Sequence, residues 1–158
     1  MPAVPLPVAP GNPETKKKMK PEIFLPDDYR PAESEPFMND RQLEYFRRKL
    51  IVWKQALLGQ SAETIDNLHD SGRNLPDITD RASEETDRAL ELRTRDRQRK
   101  LISKIDAALR RIENGEYGYC EATGEPISLK RLDARPIATM TLEAQERHER
   151  RERVHRDD

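Results

Sequence analysis

The sequence predicts an all-α fold dominated by a long antiparallel two-helix coiled-coil hairpin, with a small globular base and a C-terminal helix. Apolar residues recur at helical spacing along two long stretches of the chain. A short turn containing Pro76 separates these stretches, and proline cannot continue the first helix. Charged residues make up 37% of the chain although the net charge is -1, a balance typical of long, solvated, salt-bridged helices.

Composition excludes several classes of protein. No apolar run reaches the length of a membrane span and no signal-peptide pattern is present, so we expect a cytoplasmic protein without a membrane contact. The single cysteine excludes an internal disulfide. With a pI near 6.4, no strong basic field favours nucleic acid, and we expect no direct sequence-specific DNA binding. No nucleophile and base pair or glycine-rich phosphate loop is present, so an independent enzyme is not expected.

Residues 1–36 form the first predicted region. They hold nine of the twelve prolines, which predicts a mostly extended, partly disordered leader. The only apolar cluster in the leader consists of residues 23–26 and Tyr29, and we expect it to anchor the leader on the base of the hairpin. The basic run at 16–20 is interpreted as a solvated tail rather than a phosphate site.

Residues 37–114 form the predicted hairpin. Asn39 or Asp40 is expected to cap its first helix. Near the base, apolar residues such as Val52 and Leu58 can face a third element as well as the partner helix. The residues expected to lie in the seam between the helices are Leu43, Phe46, Leu50, Trp53, Leu57, Ile65, Leu68, Leu75, Leu90, Leu101, Ile105, Ala108 and Ile112.

The tip of the hairpin, residues 75–82, carries two carboxylates. Asp77 and Asp80 lie three residues apart, on one side of a helical turn. Either they cap the second helix, or one caps it while the other is presented to a partner. At about 1.5 Å per residue, a helix from Asn39 to Leu75 makes an arm on the order of 55 Å long. Internal support of so small a chain does not require this length, which indicates a partner.

The second helix contains five cationic residues between Arg93 and Lys100. They can form a solvated face that pairs with the acidic residues before them. Alternatively, with Lys104 one turn further along, they form a stripe that binds an anion or a partner. Charge alone leaves both interpretations open.

Residues 115–158 are predicted to form a small turn-rich unit followed by a charged helix from about Met140 to Val154. Arginines and glutamates are interspersed along that helix, which favours pairing within the helix over a nucleic-acid surface. The residues concerned are Arg147, Arg150, Arg151 and Arg153 with Glu143, Glu146, Glu149 and Glu152.

Four motifs in one order resemble the DksA/TraR family. They run from Leu75 to Ala82, from Glu91 to Arg97, from Tyr117 to Glu121 and from Arg131 to Pro136. The resemblance implies a non-catalytic regulator that inserts its arm into the secondary channel of bacterial RNA polymerase and acts with guanosine tetraphosphate. Ribosomal RNA promoters would be repressed and some biosynthetic promoters activated. The tip residues that would act on polymerase are Asp77, Asp80 and Ala82.

The same resemblance implies a nucleotide site that polymerase completes. Arg97, Lys104 and Arg135 keep the positive charge that phosphates require. Thr94 and Gln145 depart from the Asn and Lys that are commoner in the family. No cofactor is expected to bind tightly, and guanosine tetraphosphate would act as a co-regulator. The full set of implied nucleotide residues is Thr94, Arg97, Leu101, Lys104, Arg135 and Gln145.

The four-cysteine zinc module of the family is degenerate in this chain. Its ligand positions fall on Cys120, Thr123, Thr141 and Ala144, with the spacing of a zinc ribbon. A lone thiolate cannot hold structural zinc, so we expect no zinc and a structural rather than redox-sensing thiol. The residues expected to replace the metal by apolar contacts are Ile127, Leu129, Leu132, Ile137, Met140 and Leu142.

Two rival interpretations belong to other classes of protein. A Gre-like transcript-cleavage accessory factor would also offer tip carboxylates, in that case to help hold a catalytic Mg²⁺. The tip motif and the degenerate zinc module argue against it. A structural coiled-coil dimer would have no polymerase role. The turn at Pro76 makes an intramolecular hairpin more favourable than dimerisation, so we expect a monomer.

Overall fold

The computed structural model describes residues 22–70 and 78–156. Four helices follow one another in this part of the chain: α1 at Asp40–Asp70, α2 at Ile78–Asn114, α3 at Leu129–Ala134 and α4 at Leu142–Arg156. Within the same ranges, extended backbone pairs at an isolated antiparallel bridge between Tyr119 and Pro126. The predicted all-α class is therefore confirmed. None of the described helices is both long and apolar enough to cross a membrane.

The two long helices pack against each other as an antiparallel pair. Lys54 Nζ lies 2.6 Å from Asp106 Oδ1. Seven residues further along α1, the Ser61 hydroxyl donates a hydrogen bond of 3.0 Å to Gln98 Oε1. The residue numbers of the contact partners on α2 fall as the residue numbers on α1 rise, so the two helices are antiparallel. This confirms the predicted hairpin.

A polar network around a buried glutamine fixes the start of α1. The Asn39 carboxamide oxygen accepts a hydrogen bond of 2.8 Å from the backbone N–H of Gln42, so Asn39 acts as the predicted cap. The Gln42 side chain, which is fully buried, accepts from the Met38 N–H at 2.8 Å and donates to the Ala32 carbonyl at 3.2 Å. These bonds join the chain before α1 to the first turn of the helix.

One hydrophobic core lies at the base of the hairpin. It contains residues of α1 and α2 together with residues of the C-terminal unit, so the base and this unit pack as one body. The core is the part of the fold that holds the candidate site in place. Its buried members are Phe46, Leu50, Leu57, Ile105, Ala108, Ile112, Tyr117, Cys120, Ile127, Leu129, Leu132, Ile137, Ala138 and Ala144.

Toward the tip, the seam covers less surface than the apolar spacing predicts. Leu90 is 55% exposed, so its prediction as a seam residue is wrong. Nearer the base, Val52 and Leu58 are exposed too, so within the described residues they are not covered by a third element. A two-helix seam covers only one side of each helix, whereas at the base the C-terminal unit adds a third layer. Leu75 and the side chain of Leu68 lie outside the described residues.

The described part of the leader, residues 22–36, packs on the base, but through fewer residues than predicted. Leu25 is buried, and the Tyr29 ring meets the Tyr45 ring edge-on with centroids 6.0 Å apart. Phe24 is 85% exposed, so its predicted part in the anchor is wrong. The Tyr29 hydroxyl donates a hydrogen bond of 2.6 Å to Glu35, which stabilises the turn before α1.

Candidate functional site

Four of the six residues implied for nucleotide binding lie on one face of α2. Thr94, Arg97, Leu101 and Lys104 are separated by three, four and three residues, the spacing of a single helix face. Arg97 and Lys104 are exposed. The Thr94 hydroxyl donates to the Leu90 carbonyl at 3.0 Å, and Leu101 packs partly buried on the core. The face therefore offers two cations to solvent.

A pocket of about 240 Å³ lies where this face reaches the base. Lys104 from α2, Arg135 from the end of α3 and Gln145 from α4 line it together. Thr94, Arg97 and Leu101 do not line it, and continue from it along α2 toward the tip. The structure thus gathers three of the six residues and sets the other three beside them.

Arg131 also lines this pocket, and sequence reasoning missed it. It lies one turn before Arg135, so recognising α3 as a helix would have identified it. The Arg131 Nε donates to the Met140 carbonyl at 2.9 Å, which orients the guanidinium between α3 and α4. Among the described residues, no carboxylate lines the pocket, and the cations Lys104, Arg131 and Arg135 give it a surface suited to a polyanion.

Two further contacts dock the C-terminal unit, and with it Arg135, on α2. Arg111 Nη2 donates to the Tyr119 carbonyl at 2.6 Å, and Arg111 Nη1 lies 3.5 Å from the Glu121 carboxylate. Inside the unit, the Tyr117 hydroxyl donates a hydrogen bond of 2.7 Å to the Pro136 carbonyl, one residue past Arg135. Burial raises the pKa of Tyr117, so the hydroxyl stays protonated as a donor.

The four degenerate ligand positions lie together at the start of α4. The Thr123 hydroxyl and the backbone N–H groups of Ala122, Thr123 and Thr141 form hydrogen bonds to the Cys120 sulfur. Thr141 Oγ1 accepts from the N–H of Ala144 at 3.3 Å. Burial opposes ionisation of Cys120, but these hydrogen bonds outweigh it and lower the pKa of the thiol to about 7.

These residues do not fit structural zinc, which takes four Cys or His ligands. The four positions offer one thiol, two hydroxyls and a methyl group. Over the described ranges, no group of three or more His, Cys, Asp or Glu is arranged to hold a metal. Leu142 is 59% exposed, so its predicted apolar role is wrong. The other predicted replacements are buried or partly buried, namely Ile127, Leu129, Leu132, Ile137 and Met140.

The predicted tip is described only in part. α2 begins at Ile78, so Asp80 and Ala82 lie in its first two turns rather than in a turn between helices. A capping residue precedes the helix, so Asp80 is not the cap. Asp80 and Ala82 are both exposed. Asp77 lies outside the described residues.

Two family comparisons divide the chain at the end of α2. Residues 42–112 match the family described as "DnaK suppressor protein DksA, N-terminal domain". Residues 115–150 match the one described as "Prokaryotic dksA/traR C4-type zinc finger". The second match includes the four degenerate ligand positions. The similarity of this region to the zinc-finger family therefore rests on residues other than the metal ligands.

Individual relatives and a solved structure agree with these matches. The chain is 72% identical over 131 residues to "RNA polymerase-binding transcription factor DksA" of Caulobacter vibrioides, covering 83% of this chain and 92% of the relative. It is 40% identical over 127 residues to the Escherichia coli K12 protein of the same name, covering 80% and 84%. The solved structure of transcription factor DksA2 from Pseudomonas aeruginosa aligns with a TM-score of 0.70 and 41% identity, over 76% of this chain and 95% of that one. The chain therefore belongs to the DksA/TraR family.

Proposed function

We propose that the chain is a non-catalytic transcription regulator that binds RNA polymerase with its hairpin arm in the secondary channel. The observation that carries this proposal is the 72% identity to a relative named for RNA polymerase binding, over 92% of the length of that relative. We further propose that it represses ribosomal RNA promoters and activates some biosynthetic promoters. Because RNA polymerase is the proposed partner, we expect the chain to work in the cytoplasm.

We propose that Asp77, Asp80 and Ala82 act on polymerase from the distal end of the arm. The 31 residues of α1 span about 46 Å, enough to enter a deep channel. Along α2, the 24 residues between Asp80 and Lys104 correspond to about 36 Å. This separation supports two distinct roles. The tip would act on RNA polymerase inside the channel, while the base would contact the rim of the channel.

We propose that guanosine tetraphosphate binds at the pocket that Lys104, Arg135 and Gln145 line, with Thr94, Arg97 and Leu101 alongside. Arg131 adds a cation that the resemblance did not supply. The pocket is small and its cations are largely exposed, so solvent and salt screen their attraction for phosphate. We therefore expect tight binding only when polymerase supplies a second wall.

Four further properties belong to the proposal. The chain folds without zinc, because hydroxyls and a methyl group occupy three of the four ligand positions. It works as a monomer and does not bind specific DNA sequences. Its functional division is a leader at 1–36, a hairpin at 37–114 and a degenerate zinc-finger-like region with the C-terminal helix at 115–158.

Transcription from a ribosomal RNA promoter, with and without guanosine tetraphosphate, tests the nucleotide assignment. Lys104→Gln should lower the nucleotide-dependent part of the inhibition by at least about fivefold, the loss of one charge-assisted hydrogen bond. Polymerase binding should hardly change. Lys100→Gln is the matched control, because Lys100 lies one turn away, pairs with Asp96 at 3.0 Å and does not line the pocket. Equal effects of the two substitutions would refute the assignment.

A further inference from the structure

A second groove lies on another face of α4, away from the proposed nucleotide pocket. It has a volume of about 420 Å³ and runs between α4 and the loop at Ala122 and Thr123. No residue lines both cavities, since Gln145 faces the nucleotide pocket and Ala144 faces the groove. The α4 residues that line the groove are Ala144, Arg147, His148, Arg151, Glu152 and His155, a single helix face.

The glutamates of α4 lie mostly away from the groove, whereas its arginines lie both in the groove and outside it. Within the described residues, no arginine of α4 forms an ion pair with a glutamate of α4, so the predicted self-pairing of this helix is wrong. Glu143 lines a different cavity, beside Ser128, and Glu149 accepts a hydrogen bond from Gln145. Acidic side chains thus lie mostly off the groove.

Inside the groove, positive charge is not balanced. Arg147 and Arg151 lie one turn apart, about 6 Å along the helix axis. Glu152 is the one carboxylate among the lining residues, and it lies 3.7 Å from His148 Nδ1. The Arg147 guanidinium makes a long hydrogen bond of 3.4 Å to the Glu143 carbonyl. With respect to residues 22–70 and 78–156, most donor positions of both guanidinium groups therefore remain available.

We propose that this groove binds a small phosphate-bearing anion of the diphosphate class. Two guanidinium groups one turn apart can each present a planar pair of donors to phosphate oxygens. Thr123 lines the opposite wall, where its hydroxyl lies 3.4 Å from Glu125 Oε2. The volume lies in the range of small-molecule sites, and the α4 residues that line the groove span only about 12 Å from Arg147 to His155. These dimensions favour a compact anion over an extended acidic polypeptide.

Binding of inorganic pyrophosphate to the full chain, measured by calorimetry at low salt without divalent cations, tests this assignment. The double variant R147Q/R151Q should weaken binding by at least about tenfold, through loss of two charge-assisted contacts. The double variant R150Q/R153Q is the matched control, because it removes the same charge from the same helix at positions that do not line the groove. It should retain affinity within about twofold, the change expected from screened surface charge alone. Circular dichroism checks that both variants fold.

Four outcomes would overturn the proposal. The first is that the natural chain does not bind pyrophosphate, and the second is that the two double variants lose equal affinity. The third is that Lys104→Gln loses pyrophosphate binding while R147Q/R151Q keeps it. The fourth is that the same arginines bind an oligoglutamate peptide but not pyrophosphate. The third outcome would assign the anion to the nucleotide pocket, and the fourth would make the groove a protein contact.

Discussion

Lys49 Nζ lies 2.6 Å from Asp133 Oδ1 and 2.6 Å from the backbone carbonyl of the same residue. The Tyr45 hydroxyl donates to the same carboxylate at 2.8 Å. Two side chains one turn apart on α1 thus hold the end of α3, two residues before Arg135. This contact holds the end of α3, which precedes Arg135 of the proposed nucleotide pocket, against α1.

Asp133→Ala should lower the free energy of unfolding by about 1 to 2 kcal/mol, because it removes two hydrogen bonds from a partly exposed pair that solvent screens. Urea denaturation followed by circular dichroism measures the loss. Asp96→Ala is the control, since Asp96 pairs with Lys100 on the same exposed helix surface, and it should cost less than about 0.5 kcal/mol. Equal losses would mean that the Asp133 contact does not stabilise the base.

The Asp133 contact should also depend on pH. The hydrogen bond from Lys49, opposed by burial and helped by Tyr45, lowers the pKa of Asp133 below its ordinary value. A carboxylate with a lowered folded-state pKa contributes stability above its unfolded-state pKa, about 3.9, and loses it as the pH falls through the folded-state pKa. The difference in stability between the natural chain and Asp133→Ala should therefore be constant from pH 7 to about pH 5 and shrink below about pH 4.

Gly118→Ala should destabilise the base by more than its backbone conformation alone explains. Gly118 has φ +90°, and an added Cβ would lie 2.8 Å from Met38 Cγ and 2.9 Å from Met38 Sδ. Gly124 has φ +74° with no atom near an added Cβ, so Gly124→Ala reports the backbone cost alone, about 1 to 2 kcal/mol. We expect Gly118→Ala to exceed Gly124→Ala in a thermal melt, and Met38→Ala to remove the difference. A persistent difference in the Met38→Ala background would contradict the contact.

Removal of divalent metal should leave the fold intact. We expect purified protein to contain no stoichiometric zinc, and its melting temperature in chelator to stay within about 1 °C of the untreated value, because bound structural metal would add several kcal/mol to folding. A four-cysteine family member serves as the control that does respond to chelator. Unfolding of this chain in chelator would show that zinc holds the unit after all.

The hairpin was predictable because apolar spacing and a proline turn are local signals. The exposure of Leu90 was not predictable. Apolar spacing shows which residues share a helix face, but it does not show how far the C-terminal unit extends over that face. Phe24 shows the same limit in the leader, where Leu25 beside it is the residue that reaches the core.

Within the site, resemblance supplied Lys104, Arg135 and Gln145, and the structure gathers them at one pocket. The family resemblance did not supply Arg131, because its position depends on the short helix α3 and on the Met140 carbonyl that orients its guanidinium. The placement of Arg147 and Arg151 in the groove was also not predictable from the sequence, because alternation of Arg and Glu is compatible with pairing along the helix or with unpaired arginines.

The tip proposal is tested by Asp77→Asn, which removes the charge while keeping a side chain that caps a helix about as well as Asp. Stability and polymerase binding should hardly change. Inhibition of a ribosomal RNA promoter in vitro should fall sharply, and Asp80→Asn should show a weaker or equal loss. Full inhibition by Asp77→Asn would mean that the carboxylate serves only as a cap.

Binding of the natural chain to core RNA polymerase, titrated in competition with a Gre-like cleavage factor that occupies the secondary channel, tests the central proposal most directly. If the arm enters that channel, the two proteins should displace each other with one-to-one stoichiometry. Failure to bind core polymerase, or simultaneous binding of both proteins to one polymerase, would contradict it.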